Sequence, residues 1–482
     1  MEISKSYSQK NVEQKWYSRW ESENSFSPSS ESAESFTIMI PPPNVTGILH
    51  IGHILNNTIQ DVLVRRARMQ GKRTLWLPGT DHASIATEAK VTHMLESKGI
   101  DKDSIGREKF LEHAMEWKEE YGGTILMQLR RLGASCDWTR TCFTMDPQYS
   151  DAVIEAFVRL YNDGLIYRGE RLINWDPKGQ TALSDEEVIH KEHAGSLWHF
   201  KYPVKGTDDY VVVATTRPET MLGDSGVAVH PDDKRYQNMI GASVMLPISE
   251  REIPIFSDDF VDMDFGTGCV KVTPAHDPND FEMGIRNNLE IINIMNPDSS
   301  LNENAPQQYR GLSPKEARDK VVREMDSLGL LDKVEEHTHQ VGHSERTDAI
   351  VEPYISKQWF MSMDKLTDPA LSAVRDGQVK FYPDRWTKTY NHWLENIRDW
   401  CISRQLWWGH RIPVWYKGDE IYCGTEPPDG DGWVQDEDVL DTWFSSWLWP
   451  LATLGWPDET DDLRAFYPTK SLVTGPDIIF FW

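Results

Sequence analysis

At 482 residues the chain is too long for one ordinary domain, and about three is the expectation for that length. An apolar fraction of 39% supplies folded cores and excludes wholesale disorder. A formal net charge of −26 excludes a broadly basic surface, which leaves local basic patches as the route to any nucleic acid.

No apolar run approaches the roughly 20 residues that a membrane-spanning helix needs. The N-terminus, Met1-Glu2-Ile3-Ser4-Lys5, lacks the apolar segment of a secretory signal, so a cytoplasmic protein is expected. Cys136, Cys142, Cys269, Cys401 and Cys423 form no Cys-x-x-Cys pair. Neither a disulfide framework nor a zinc site is predicted from them.

The chain opens with a helix-like stretch holding Trp16, Tyr17 and Trp20, and then a Ser-rich segment, 22–35, that reads as too polar to pack. From residue 36 to about 145, strand-like and helical segments alternate as in an open α/β sheet. Residues 36–40 read as a strand that Pro41, Pro42 and Pro43 stop; Gly47 allows a tight turn, and Ile48 onward reads as a helix. On that helix His50 and His53 share one face. They stand near the positive end of the helix dipole, where an anionic phosphate is favoured. Gly52 between them leaves room for a nucleotide against the backbone. These residues describe a triphosphate site; by themselves they describe two surface or core histidines equally well.

Arg65-Arg66-Ala67-Arg68 with Lys72-Arg73 is the local basic cluster, either a nucleic-acid patch or a solvated helix face. Leu77-Pro78-Gly79-Thr80-Asp81-His82 puts a carboxylate and an imidazole after a short strand, where Gly-Thr-Asp is also an ordinary turn and cap. A helix over 151–163 and strands at 166–169 and 172–175 follow. Near His190 the texture changes to short β-rich runs, at 210–213 and 269–272, with frequent Gly and Pro. A helical piece is predicted at 314–328. The predicted layout is therefore an α/β part, 1–189, an inserted β-rich domain, 190–342, and a return to the first domain, 343–482. The sheet should resume at 472–475.

Pro41-Pro42-Pro43-Asn44-Val45-Thr46-Gly47, followed by His50-Ile51-Gly52-His53, resembles the first signature of class I aminoacyl-tRNA synthetases, in the form carried by their valine-specific branch. Isoleucine and leucine relatives share the second half but usually not the first. The likeness covers essentially the whole chain. It continues through Asn174-Trp175-Asp176-Pro177, a connecting segment, Thr215-Thr216-Arg217-Pro218-Glu219-Thr220 and Gly266-Thr267-Gly268-Cys269-Val270-Lys271-Val272-Thr273 with Asp277 and Asp280. It resumes at Trp400-Cys401-Ile402-Ser403-Arg404-Gln405 and Asp441-Thr442-Trp443-Phe444-Ser445-Ser446. The fold this implies is α/β: a Rossmann-like catalytic domain with a parallel sheet, incomplete at its C-terminal end, carrying an inserted β-rich editing domain.

The resemblance implies ATP with Mg2+ as cofactor, no protein-bound zinc, and activation of valine for transfer to tRNA(Val). His50 and His53 would stabilise charge on the phosphates. Asn44, Gly47 and Gly52 would line the ATP, with Gly475 against the adenosine and Asp477 on the ribose hydroxyls. Asp81 would receive the valine ammonium, and Pro41, Pro42, Asn44 and Trp456 would enclose the amino acid. Arg404 and Arg411 would either support the tRNA acceptor end or pair with local acids.

A second site is implied because an apolar pocket rejects an isostere bearing a hydroxyl only about 10²-fold, the valine–threonine pair being the case from which that figure comes. Thr215, Thr216 and Arg217 would face the tRNA end, Lys271, Thr273 and Asp277 would surround a threonine hydroxyl, and Asp280 would hold the ammonium. Hydrolysis of threonyl-tRNA(Val) would use a positioned water, with no general base nominated. Read without the family, Asp277 and Asp280 are turn residues before a helix starting at Phe281.

The family continues beyond the matched part with a Lys-Met-Ser-Lys-Ser loop and a helical anticodon-binding domain. The expectation is an N-terminal fragment, monomeric and free of membrane, weak in activation and complete in its editing domain. An isoleucine-type enzyme of the same architecture and a non-catalytic tRNA-binding relative are the alternatives.

Overall fold

The computed structural model describes residues 8–29, 34–264 and 266–482. They form two compact units, one of residues up to Arg168 together with Trp359–Trp482, the other Gly169–Gln358.

In the first unit, helix α1 (Gln9–Ser22) is tied down by Tyr17, whose hydroxyl donates to the Ala134 carbonyl at 2.6 Å and accepts from Trp138 Nε1 at 2.7 Å. The segment after it does pack, contrary to its polar composition: Phe26 is buried, meets the Tyr17 ring at 5.8 Å, and lies under the Arg68 guanidinium. One aromatic ring suffices to anchor a polar loop. Residues 30–33 of that segment lie outside the described residues.

Strand β1 (Ser35–Met39) pairs in parallel with β2 (Arg73–Leu77) across helix α2 (Ile51–Met69). Ile38, Leu75, Trp76 and Leu77 are buried, the near-continuous apolar run of a parallel strand covered on both faces. Strand β3 (Gly79–Thr80) pairs in parallel with β4 (Cys142–Phe143), beyond helices α3 (Ser84–Ser97) and α4 (Lys102–Leu132). Gly79 is obligatory, because a Cβ there would collide with the Cys142 carbonyl and the Trp449 ring. Helix α5 (Pro147–Asn162) starts four residues before its predicted position, with Pro147 in the first turn, where the missing N–H costs nothing. Strand β5 (Ile166–Asp176) is one strand where the sequence shows two short runs.

Besides the antiparallel pairing of β5 with the strand that follows it, the second unit holds two further sheets among the described residues. After β6 (Thr181–Leu183), β7 (Val188–Pro203) pairs with β8 (Tyr210–Thr215) on one side. Strands β9 (Gly226–Val229), β10 (Ser243–Leu246), β11 (Arg251–Ser257) and β12 (Cys269–Val272) form the second sheet, in the order β10-β11-β9-β12. Helices α6 (Pro278–Arg286) and α7 (Pro314–Ser327) follow, and β13 (Leu331–Ser344) closes a long antiparallel ladder on β7. Phe200, Tyr202, Val213, Met221, Ile253 and Val321 share one buried core. This unit extends past the composition change at both ends. Trp175 Nε1 donates to the Pro297 carbonyl at 2.7 Å and Thr347 Oγ1 to Asp176 at 2.7 Å, so the leading and trailing segments are bound into it.

From Trp359 the chain rejoins the first unit. Ser403 and Arg404 pair antiparallel with Leu440 and Val439 ahead of the short helix Thr442–Ser446. The predicted strand at 472–475 does not form. The sheet is met only by a parallel bridge from Ile38 to Ser471, and the Val473 carbonyl is taken instead by Asn56 Nδ2 at 2.8 Å.

Candidate functional sites

The proline-rich loop after β1 is held by a two-bond ladder to Asp81: Val45 N donates to the Asp81 carbonyl at 3.0 Å, and Asp81 N to the Pro43 carbonyl at 2.9 Å. Pro42 is buried, Pro41 half-buried, and Asn44 exposed. Gly47, followed by extended backbone, has open space about it. Helix α2 begins at Ile51, three residues later than the sequence suggests, because the two histidines cap it. His50 is the N-cap; its Nδ1 accepts from Gly52 N at 3.1 Å, and His53 Nδ1 accepts from His50 N at 3.2 Å. The rings lie 4.0 Å apart, centroid to centroid.

This reciprocal cap fixes the tautomers. With each Nδ1 accepting, a neutral ring carries its hydrogen on Nε2. Burial, and then the neighbouring His50, hold the His53 pKa below the ordinary histidine value, so this ring is neutral near pH 7. Gly52 serves this cap first: a Cβ there would sit 2.9 Å from His50 Cε1.

Asp81 is fully buried, and its oxygens accept from Ala83 N at 2.6 Å, Thr442 Oγ1 at 2.8 Å and Ser446 Oγ. Burial raises its pKa and the three donors oppose that rise. His82 bridges Thr144 Oγ1 at 2.7 Å and Ser84 Oγ at 2.9 Å; burial pushes its pKa down to about 3, as it does that of His410, whose ring lies 5.1 Å away. Thr442 and Ser446 were not singled out from the sequence; their motif was visible, but not its destination.

Trp456 packs against the cluster that includes Met39, Leu75 and Tyr149, with the Arg159 guanidinium 5.1 Å from its ring. Gly475 and Asp477 are exposed, and the segment just before them is held on α2 through Asn56. The basic cluster is largely committed internally. Arg65 binds Asp61 at 2.7 Å, Arg68 binds the Ser135 and Phe26 carbonyls, Lys72 binds Glu34, and Arg73 lies over Phe466. Of the two readings left open for Arg404, pairing with an acid is the one realised: it is buried and binds Asp441. Arg411 donates to the backbone carbonyls of Gln435 and Asp436.

Among the described residues no group of three or more His, Cys, Asp or Glu is placed to hold a metal ion. His50 is exposed and His53 half-buried at the start of α2, a place that fits a polyphosphate, and a magnesium ion would be held by the nucleotide's own oxygens.

In the second unit, Lys271 Nζ donates to Asp224 Oδ1 at 2.9 Å and to Thr273 Oγ1, which itself donates to Asp224 Oδ1 at 2.6 Å. Thr273 N donates to Asp280 Oδ2 at 2.8 Å. Burial, and then Asp277, push the Asp280 pKa up to about 7. Asp277 is the N-cap of α6, its Oδ1 accepting from Asn279 N at 2.8 Å and Asp280 N at 3.1 Å. The helix so capped starts at Pro278 rather than Phe281. Thr215 Oγ1 accepts from Arg217 N at 2.9 Å, and Thr216 beside it is half-buried. The Arg217 side chain is held by Glu219, Glu352 and the His276 carbonyl. Asp224 is the residue that sequence reasoning missed. Nothing in its local pattern, Thr220-Met221-Leu222-Gly223-Asp224, distinguishes a buried carboxylate from a turn residue.

The chain belongs to the class I tRNA synthetases of the I, L, M and V group, whose family model matches residues 15–431 and 428–482. The α/β unit is therefore the Rossmann-like domain of that class and the β-rich unit its insertion.

Within that class the similarity is to valine–tRNA ligases. That of Geobacillus kaustophilus is 59% identical over 452 residues, covering 93% of this chain and 51% of the relative. That of Francisella tularensis is 54% identical over 492 residues, covering 100% of this chain and 54% of the relative. That of Carboxydothermus hydrogenoformans is 55% identical over 487 residues, covering 99% and 55%. The chain spans about half the length of the curated relatives it matches.

Proposed function

We propose that the first unit activates valine with ATP and Mg2+ for transfer to tRNA(Val), and that the second hydrolyses threonyl-tRNA(Val). The observation that carries the reading is the ladder joining the proline-rich loop to Asp81, which sets a buried carboxylate beside the loop that leads to the two imidazoles. A buried carboxylate is the partner an amino acid's ammonium needs.

In activation, a valine carboxylate oxygen attacks the α-phosphorus of ATP, and the bond to the pyrophosphate oxygen breaks. His50 and His53 donate from Nε2 to the phosphate oxygens as charge builds there. Because the cap already fixes both rings, these donors need no reorganisation during the step. Magnesium, when bound with the nucleotide, neutralises part of the phosphate charge. The 2′-hydroxyl of the terminal adenosine then attacks the valyl carbonyl and AMP leaves. Trp456, Pro41, Pro42 and Asn44 would enclose the valine, and Gly47, Gly475 and Asp477 the nucleotide.

In the second unit Lys271 would donate to the threonine hydroxyl and Asp280 would bind the ammonium, with Thr215, Thr216 and Arg217 beside the tRNA end. The proposal includes a cytoplasmic monomer; no helix among the described residues is long and apolar enough to cross a membrane.

Two assays test the two halves. Valine-dependent exchange of labelled pyrophosphate into ATP, with isoleucine and threonine as competitors, is expected to favour valine. A folded chain that binds neither ATP nor valine would contradict the first half. Hydrolysis of threonyl-tRNA(Val) but not valyl-tRNA(Val) is expected of the second, and equal rates on both would contradict it.

A further inference from the structure

We propose that Asn56 is a positioning residue of the nucleotide site. It ends a one-way hydrogen-bond relay that begins at the buried Trp76 indole and fastens the segment bearing Gly475 and Asp477 to the helix bearing His50 and His53; this rests on the ATP reading given above. Trp76 on β2 is fully buried, and an indole N–H can only donate. It donates to Gln60 Oε1 at 2.9 Å, so the Gln60 amide faces the other way and donates from Nε2 to Asn56 Oδ1. Asn56 is thereby left with Nδ2 outermost, and that donor meets the Val473 carbonyl at 2.8 Å. One indole sets the direction of both amides.

Gln60 is fully buried and Asn56 half-buried, so the relay runs from the interior to the surface of α2. His53, Asn56 and Gln60 follow one line of the helix, at i, i+3 and i+7. The ring assigned to the phosphates and the amide that holds the ribose segment therefore stand one helical turn apart. Upstream of Val473 the segment is tied to β1: Lys470 N donates to the Thr37 carbonyl at 2.9 Å, and Ser471 forms the parallel bridge to Ile38. Val473 lies just ahead of Gly475 and Asp477. Past the turn Pro476–Ile478, Phe480 stacks on Trp393 and Phe481 on Trp443, with centroids 4.2 and 4.5 Å apart. Stacked rings can slide in their planes, whereas a hydrogen bond is directional, so the Asn56 bond sets the register of the turn. Asn56 touches no nucleotide atom in this arrangement; it acts through Gly475 and Asp477.

Two near-isosteric variants break the direction of the relay. Asn56→Asp still accepts from Gln60 but has no N–H for Val473. Gln60→Glu still accepts from Trp76 but presents a second acceptor to Asn56, which must turn round and aim its own oxygen at the Val473 carbonyl. Each chain is read in two ways: hydrogen–deuterium exchange of the peptide spanning 470–478, and calorimetric titration with ATP, AMP and inorganic tripolyphosphate. We expect either variant to speed exchange of that peptide about fivefold and to weaken ATP and AMP about fivefold or more, with tripolyphosphate binding unchanged. A general loosening of α2 would instead weaken all three ligands together. Folded N56D with wild-type exchange or wild-type ATP affinity overturns the proposal, and so does an equal loss for tripolyphosphate. Wild-type chain that binds neither nucleotide overturns the ATP reading alone, since the exchange still measures whether Asn56 holds the segment. Asn56→Ser, too short to reach Val473, replaces a variant that does not fold and carries the same expected and contrary results.

Discussion

The two sites solve the problem of holding a polar group in opposite ways. At the start of α2, two imidazoles cap a helix with their Nδ1 atoms, His50 exposed and His53 half-buried. Around Asp224, carboxylate, ammonium, hydroxyl and phenol satisfy one another in the interior of the second unit. The first arrangement depends on local backbone geometry and is sensitive to single atoms near the cap. The second depends on charge balance among residues far apart in sequence, and is sensitive to loss of any one charge. On the proposed reading the first site would meet a large, mobile polyanion and can stay open, whereas the second would tell a hydroxyl from a methyl and has to exclude water so that an unpaired polar group is costly.

The largest effect should come from Asp81→Ala. It strips the partner from Thr442, Ser446 and the Ala83 N–H in a dry interior, for a loss of about 2–4 kcal/mol in chemical unfolding and of valine-dependent pyrophosphate exchange. A variant as stable as wild type would show that the carboxylate is solvated and the buried geometry wrong.

Next, His53→Ala should lower pyrophosphate exchange about 10²-fold or more through lost phosphate stabilisation, and cost about 1 kcal/mol through the lost cap. Hydrolysis of threonyl-tRNA(Val) should not change, which sharpens the separation of the sites. Gly52→Ala should be milder, about tenfold in exchange, because its Cβ displaces the His50 ring rather than removing it. Exchange at the wild-type rate in this variant would mean the cap is not what orients His50.

The smallest effect is a pH dependence specific to the second unit. The Asp280 pKa lies at about 7, raised from 3.8 by burial and Asp277, so the folded state binds this proton more tightly than the unfolded chain does. Its contribution to stability is fully present below pH 4 and is lost as pH rises through about 7. Thermal unfolding of wild type and Asp280→Asn, compared at pH 5 and pH 8, should show the gap between them shifting in favour of the variant at the higher pH. Parallel profiles would contradict the assignment.

The signature loop and the inserted β-rich region were legible in the sequence, because they rest on short motifs and on the change from helical to strand periodicity. What was not legible depends on partners remote in the chain. Arg65, Arg68 and Arg404 look alike in sequence whether solvated, bound to an acid or facing RNA; only the fold shows that carbonyls and carboxylates take them. Asp224 and the Thr442–Ser446 hydroxyls were missed for the same reason. The late start of α2 was missed because histidine is an unusual cap, and the strand expected at 472–475 because Asn56 captures the Val473 carbonyl first.

The most direct measurement is hydrolysis of threonyl-tRNA(Val) and valyl-tRNA(Val) by wild type, His53→Ala and Asp280→Asn, side by side. Two independent sites predict that wild type and His53→Ala release threonine selectively and at equal rates, and that Asp280→Asn does not. Loss of hydrolysis in His53→Ala, or its persistence in Asp280→Asn, would contradict the division of chemistry between the two units.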